Sequence, residues 1–273
     1  MTSVRTELDR QLSPSTVARD APVTLARYRL RSQAARRDLV HHADLRYGSH
    51  PAEVLHHFPP RRPGSPLLIF IHGGHWQESS KEDACFPAPG LIAAGFGYLA
   101  LGYGLAPQRS LPEMTASVRR GLTWVLDHAE ELGGRPDAVF AAGSSAGAHL
   151  AAMAADLPLA GLFLLSGLYD LSPVIGSYVN NALGLTAEEA ARLSPMLRPP
   201  PAVPVLLAVG EHETREYHGQ QRRYAAALRL AATPVTELVV AGRDHFDLPF
   251  DLGDPATVLG AAVVRAAQPK GAP

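Results

Sequence analysis

The chain has 273 residues, 46% hydrophobic and 19% charged, enough apolar content to bury a sizeable core as one α/β domain over 1–273. A formal net charge of −1 gives no electrostatic footing for nucleic acid or an anionic membrane surface, and an arginine-dominated basic set with only Lys81 and Lys270 as lysines carries no functional weight. The single cysteine, Cys85, excludes an intramolecular disulfide. Charged residues among the first thirty (Arg5, Asp9, Arg10, Arg19, Asp20) leave no signal peptide, and no run reaches the ~18 apolar residues of a membrane span, so a soluble, cytoplasmic protein is expected.

Residues 1–38 read as a polar, Arg-rich extension packed across the core, with Ser13-Pro14-Ser15 as a helix start and a helix over Thr24–Arg37. Leu39–Arg46 and Glu53–Phe58 read as antiparallel strands around the turn-forming Tyr47-Gly48-Ser49-His50-Pro51. Leu67–Ile71 is a continuous apolar run, as expected of a strand buried on both faces. From there strand and helix alternate. Strands are expected at Phe96–Leu101, Val139–Ala142, Leu159–Ser166, Val203–Val209 and Val235–Val240, and helices at Pro112–Leu132, Tyr217–Ala231 and Pro255–Ala267. This order requires crossovers, hence a mostly parallel central sheet with helices on both faces. The alternation lapses over 170–201, where a short helix Thr186–Leu193 marks a small cap insertion after the sixth strand.

Gly143-Ser144-Ser145-Ala146-Gly147 follows a buried strand and opens a helical stretch, so it fits the G-x-S-x-G nucleophile elbow with Ser145 at the apex. Ligands bind outside the carboxyl ends of parallel strands, so other functional residues are sought at strand ends. His72-Gly73-Gly74-His75-Trp76 follows Leu67–Ile71; two glycines there let N–H groups face a bound oxyanion, making Gly73, Gly74 and Ala146 the expected oxyanion hole. A serine needs a base, and of twelve histidines only His245 follows the last predicted strand. His41, His42, His56 and His57 fall in the early strands, and His72, His75 and His149 suit packing beside the site. For the acid that orients His245, Glu213, Glu211 and Asp170 all lie after strands and stay open. No metal-ligand spacing appears, so neither metal nor cofactor is expected.

These residues resemble the kynurenine formamidases (arylformamidases), esterase-like members of the α/β-hydrolase fold. The resemblance runs from Glu7–Ser15 through His72–Trp76, Gly102–Pro107 and Ser145–Leu150, and is most specific in Ser166–Pro173 and Val209–Gln220. It implies Glu213 as the acid, at a position where the family has aspartate, and leaves Asp170 a structural residue at the base of the cap. It also marks two departures: His75 where the family has tyrosine, and Ser144 where it has histidine. The implied reaction is hydrolysis of an aryl formamide, N-formyl-L-kynurenine, through a formyl-serine intermediate. Trp76, His75, Ser144, Tyr178, Asn181 and Phe246 are the expected substrate-binding residues, with Asn180 weighed beside Asn181. Hydrolysis of another small aromatic ester or amide is the alternative, a non-catalytic ligand receptor a further one, and a homodimer is left open.

Overall fold

The structure, a computed structural model, describes residues 6–268; residues 1–5 of the expected extension and 269–273, with Lys270, lie outside them. Eight strands form one sheet: β1 (His42–Arg46), β2 (Val54–Phe58), β3 (Ser65–Ile71), β4 (Gly97–Leu101), β5 (Gly134–Ser144), β6 (Gly161–Leu165), β7 (Val205–His212) and β8 (Val235–Asp244), in the order β1-β2-β4-β3-β5-β6-β7-β8. β2 pairs antiparallel with β1 and β4, and every later pair is parallel. The fold is that of the α/β hydrolases.

Among the described residues there are ten α-helices, seven of them between strands: α1 (Glu7–Gln11), α2 (Ala21–Asp38), α3 (Ala88–Ala93), α4 (Leu111–Asp127), α5 (Ala146–Ala152), α6 (Ser172–Ile175), α7 (Asn180–Leu183), α8 (Ala187–Arg192), α9 (Arg215–Leu230) and α10 (Val258–Ala266). Alternation along β3 divides the core in two. Leu67, Ile69 and Ile71 pack with Met114, Val118, Leu122 and Val125 of α4 and with Tyr224 and Leu228 of α9. Leu68 and Phe70 face the other way, onto Leu91 and Ile92 of α3 and Leu259 and Val263 of α10. Each such buried aliphatic or aromatic side chain contributes roughly 1.5–3 kcal/mol of transfer free energy, so the central strands are held from both faces.

The expected strands and main helices are present, with shifted ends. α4 begins one residue early, at a capping box in which Ser110 and Glu113 satisfy each other's backbone N–H, and it ends at Asp127 rather than Leu132. β5, β7 and β8 extend past their apolar runs. In the N-terminal segment the helix is longer than expected, starting at Ala21 behind the Asp20 cap, and Pro14–Thr16 forms a 3₁₀ turn. α1 opens with a Thr6/Asp9 capping box. Between β6 and β7 lie α6, α7 and α8, with Thr186 and Glu189 capping α8. Among the described residues no helix is long and apolar enough to cross a membrane.

Candidate active site

Five parallel junctions deliver their strand ends to one edge of the sheet. β5 is buried from Ala138 through Ser144 and breaks at Ser145, whose φ of 56° and ψ of −120° put a non-glycine residue in the left-handed half of conformational space, immediately before α5. The turn survives because its flanks carry no Cβ: one on Gly143 would sit 2.2 Å from the carbonyl oxygen of Gly147, and one on Gly147 would sit 1.9 Å from that of Ile71. The Ser145 N–H donates to the Leu165 carbonyl at 2.8 Å, which ties the turn to β6.

His245 follows β8 directly, and its Nδ1 lies 2.8 Å from Oε2 of Glu213, just beyond β7. The other carboxylate oxygen of Glu213 accepts from the Gly210 N–H at 2.9 Å and from the Ser166 hydroxyl at the end of β6. Three donors thus fix one buried carboxylate. The other two carboxylates left open by the sequence are engaged elsewhere. Glu211 is exposed and accepts from the Gly242 N–H, and Asp170 accepts from the Ser172 N–H and hydroxyl at the start of α6.

After β3 the chain turns through Gly73 and Gly74. Gly74 has φ +104°, and a Cβ there would lie 2.3 Å from the Glu78 carbonyl oxygen, so the turn requires glycine. Among the described residues neither glycine N–H has a backbone partner, while the Gly74 carbonyl accepts from the N–H groups of Gln77 and Glu78. Ala146 opens α5, where helix geometry supplies its N–H with no acceptor.

Ser145, His245, Gly73 and Gly74 line one cavity of about 500 Å³ together with His75, Ser144, Tyr178 and Phe246. Aromatic walls come from Tyr28, Phe70, Phe86 and Phe246. The extension supplies Ser13–Ser15 and the inner face of α2, including Arg29; Glu78 and Asp83 face the same space. The N-terminal segment therefore lines more of the cavity than residues 170–201 do, since of these only Tyr178 lines it. Tyr178 also links the two, its hydroxyl accepting from Ser13 at 3.0 Å and its N–H donating to Asp9 at 2.8 Å. Tyr28, stacked on Phe86 with ring centroids 4.3 Å apart, donates its hydroxyl to the Phe246 carbonyl and so anchors α2 to the His245 loop.

Two expected wall residues lie elsewhere. Trp76 is fully buried behind the glycine turn, where its indole N–H donates to His149 Nδ1 at 3.3 Å and His149 in turn contacts the Leu193 carbonyl. Asn181 is exposed on α7, outside the cavity lining, and its neighbour Asn180 is spent on the Ile175 and Leu185 backbone. Sequence reasoning missed Tyr217, which packs edge-on against His245 with ring centroids 4.6 Å apart. Its position four residues after Glu213, in the first turn of α9, was the available signal.

Burial acts on the three histidines packed beside the site. It holds His72, His75 and His149 at about 4, well below the ordinary imidazole value, and for His75 the neighbouring His245 pushes the same way. These rings stay neutral near pH 7. Among the described residues one group, Asp44, His56 and Glu82, has its ligand atoms close enough together for a metal ion. It already holds a cation: Lys81 Nζ lies 2.8 Å from Asp44 and pairs with Glu82. The Asp44 N–H also donates to His56 Nδ1, which leaves the proton of a neutral ring on Nε2, the atom that faces Glu82.

A family model described as BD-FAE matches residues 57–159. Kynurenine formamidase of Danio rerio is 33% identical over 239 residues, covering 81% of this chain and 80% of that protein. Kynurenine formamidase of Salmo salar is 32% identical over 275 residues and covers 91% of each. Among solved structures, EstE1, a thermophilic carboxylesterase cloned from a metagenomic library, superposes with a TM-score of 0.73 at 21% identity, over 94% of this chain and 98% of that one. Matching along nearly its whole length, with the fold and the strand-end serine to go with it, this chain belongs to the kynurenine formamidase family of serine hydrolases.

Proposed function

We propose that the protein hydrolyses aryl formamides, with N-formyl-L-kynurenine as substrate, through a Ser145–His245–Glu213 triad. The observation that carries this reading is the joint presence of Ser145, the Glu213-bonded His245 and the Gly73–Gly74 turn on one aromatic-walled cavity. His245 takes the Ser145 proton as Oγ attacks the formyl carbon, and Glu213 stabilises the imidazolium that forms. The N–H groups of Gly73, Gly74 and Ala146 hold the oxyanion. His245 then gives its proton to the departing aryl nitrogen, the C–N bond breaks, and a formyl ester remains on Ser145. Water, activated by the same histidine, attacks that ester to release formate.

The formyl group is the smallest acyl group, so discrimination rests on the leaving group. Tyr28, Phe86 and Phe246 suit an aryl ring, and Arg29 with Asp83 and Glu78 supplies both signs of charge for an amino-acid head. His75 and Ser144 border the same space, close to the reacting bond.

The test is a direct comparison of N-formyl-L-kynurenine with p-nitrophenyl acetate and other small aryl esters on the purified protein. The expected result is a kcat/KM that favours the formamide. Strong preference for the esters would replace this function with that of a carboxylesterase.

A further inference from the structure

The N-terminal segment walls the cavity, and it also grips the chain on both sides of His245 and just beyond Glu213. The Arg19 N–H donates to Oδ2 of Asp244 at 3.1 Å, and the Tyr28 hydroxyl donates to the Phe246 carbonyl. Asp244 and Phe246 are the two neighbours of His245 in the chain. Asp244 is buried, and its other carboxylate oxygen accepts from the N–H groups of Phe246 at 2.8 Å and Asp247 at 3.1 Å, closing a turn around the histidine. Residues 19 and 28 therefore hold that turn from both ends.

On the acid side the contact is Gln11 of α1. Thr214 follows Glu213 and occupies the N-cap position of α9, but its hydroxyl caps nothing in that helix. It donates instead to the Gln11 carbonyl at 2.5 Å, and the Gln11 side-chain oxygen accepts from the Glu216 N–H in the first turn of α9 at 3.2 Å. The nitrogen of the same Gln11 amide donates to Glu7 at 2.8 Å, which fixes the way the amide faces. A helix start that its own threonine would ordinarily cap is thus capped from 205 residues away in sequence.

Glu213 and His245 stand on separate loops, after β7 and after β8, and the 2.8 Å contact between them is only as well placed as those loops are. One continuous stretch, residues 11–28, ties down both. A displacement of about 1 Å at a catalytic group can cost a hundredfold in rate. We propose that the N-terminal segment is a strap that positions the base and the acid, with Tyr28, Gln11 and Thr214 as its positioning residues, so that its docking sets kcat as well as shaping the leaving-group wall. The strap rests on the Ser145–His245–Glu213 triad of the reaction above and acts through it.

The experiment compares Tyr28→Phe, Thr214→Val, Thr214→Ser and Gln11→Ala. Each is followed with N-formyl-L-kynurenine, with p-nitrophenyl acetate and by the rate of inactivation by a fluorophosphonate, alongside thermal melting. Tyr28→Phe keeps the aromatic wall and loses the strap bond; it and Thr214→Val each lower kcat by about threefold to thirtyfold with KM within about threefold. The same loss appears on the ester and in the inactivation rate, neither of which needs an amino-acid head. Thr214→Ser, which keeps the hydroxyl, stays within about twofold of wild type, and Gln11→Ala loses about threefold or more. The strap is overturned if a folded Tyr28→Phe or Thr214→Val keeps kcat within about twofold, if Thr214→Ser loses as much as Thr214→Val, or if the only change is a raised KM for the formamide, which would make the segment a wall alone. Should Tyr28→Phe or Thr214→Val fail to fold, Gln11→Ala, at a half-buried position of α1, decides: kcat within about twofold of wild type also overturns it. A wild-type protein that hydrolyses the ester and not the formamide removes the formamidase reading, while the ester and inactivation rates still judge the strap. Wild-type resistance to the fluorophosphonate overturns both.

Discussion

Replacing Glu213 by glutamine changes no volume and removes one charge, and its consequence is set by the hydrogen bonds that Glu213 makes. One carboxylate oxygen accepts from Gly210 N–H and Ser166 O–H, and the other faces His245 Nδ1. A glutamine can keep its oxygen toward Gly210 and Ser166, or toward His245, but not both. The second choice points an NH₂ group at two buried donors and forfeits about 1–3 kcal/mol for each. The amide therefore faces His245 with its N–H, forcing Nδ1 to accept and leaving the ring proton on Nε2, where it blocks removal of the serine proton. A base in the wrong tautomer loses ~10⁴ in kcat, about 5 kcal/mol of barrier. Steady-state kinetics on N-formyl-L-kynurenine should show that loss with KM changed by no more than a few-fold, and the melting temperature should move little. A Glu213→Gln enzyme within about tenfold of the wild-type kcat would refute the role of this carboxylate in setting the tautomer of the base.

Other side chains give equally specific outcomes. Trp76→Phe forfeits the indole–His149 hydrogen bond and some packing, and should cost roughly 1–3 kcal/mol in denaturant unfolding with kcat/KM nearly unchanged; a raised KM in a protein of normal stability would mean that Trp76 touches substrate. Arg29→Ala should raise KM about tenfold for N-formyl-L-kynurenine and leave formanilide, which lacks the charged head, unaffected; equal effects on both substrates would make Arg29 structural. Burial pushes the Glu53 carboxyl up, but hydrogen bonds from Arg120, Ser117 and the His50 backbone outweigh it and hold it at about 2. Because that folded value lies below the unfolded one, the stabilisation is complete above about pH 4.5 and is lost as pH falls toward 2, roughly 3 kcal/mol in all. Glu53→Gln should flatten the stability profile in that window; an unchanged slope would contradict the assignment.

What the sequence made legible was set by period and by strand ends. Leu67–Ile71 announces a strand buried on both faces by its unbroken apolar run, and Gly143–Gly147 announces its turn because only residues without Cβ fit at its flanks. Spacing along the chain brought Glu213 and His245 into consideration, but it left Glu213 beside Glu211 and Asp170. The choice depends on which carboxylate the turn after β7 aims at Nδ1, a tertiary fact. The same limit explains the wall residues. Trp76 lies in the right segment but its φ of 61° carries the indole under the turn, toward His149. Asn181 lies in the expected cap, which contributes Tyr178 alone, because α2 and the Ser13–Ser15 turn occupy the space over the serine. α1, with only five residues, is too short for periodicity to reveal, and it shows instead in its Thr6/Asp9 capping box.

Whether Ser145 is the nucleophile of a formamide hydrolase is decided by kcat/KM for N-formyl-L-kynurenine in the wild-type protein and in Ser145→Ala, with folding of the variant confirmed by its melting curve. Measurable wild-type turnover is expected, with a loss in the variant on the order of 10⁴ or more that leaves only what binding and the oxyanion donors supply. A folded Ser145→Ala protein that hydrolyses the formamide within about tenfold of wild type would rule out the serine mechanism.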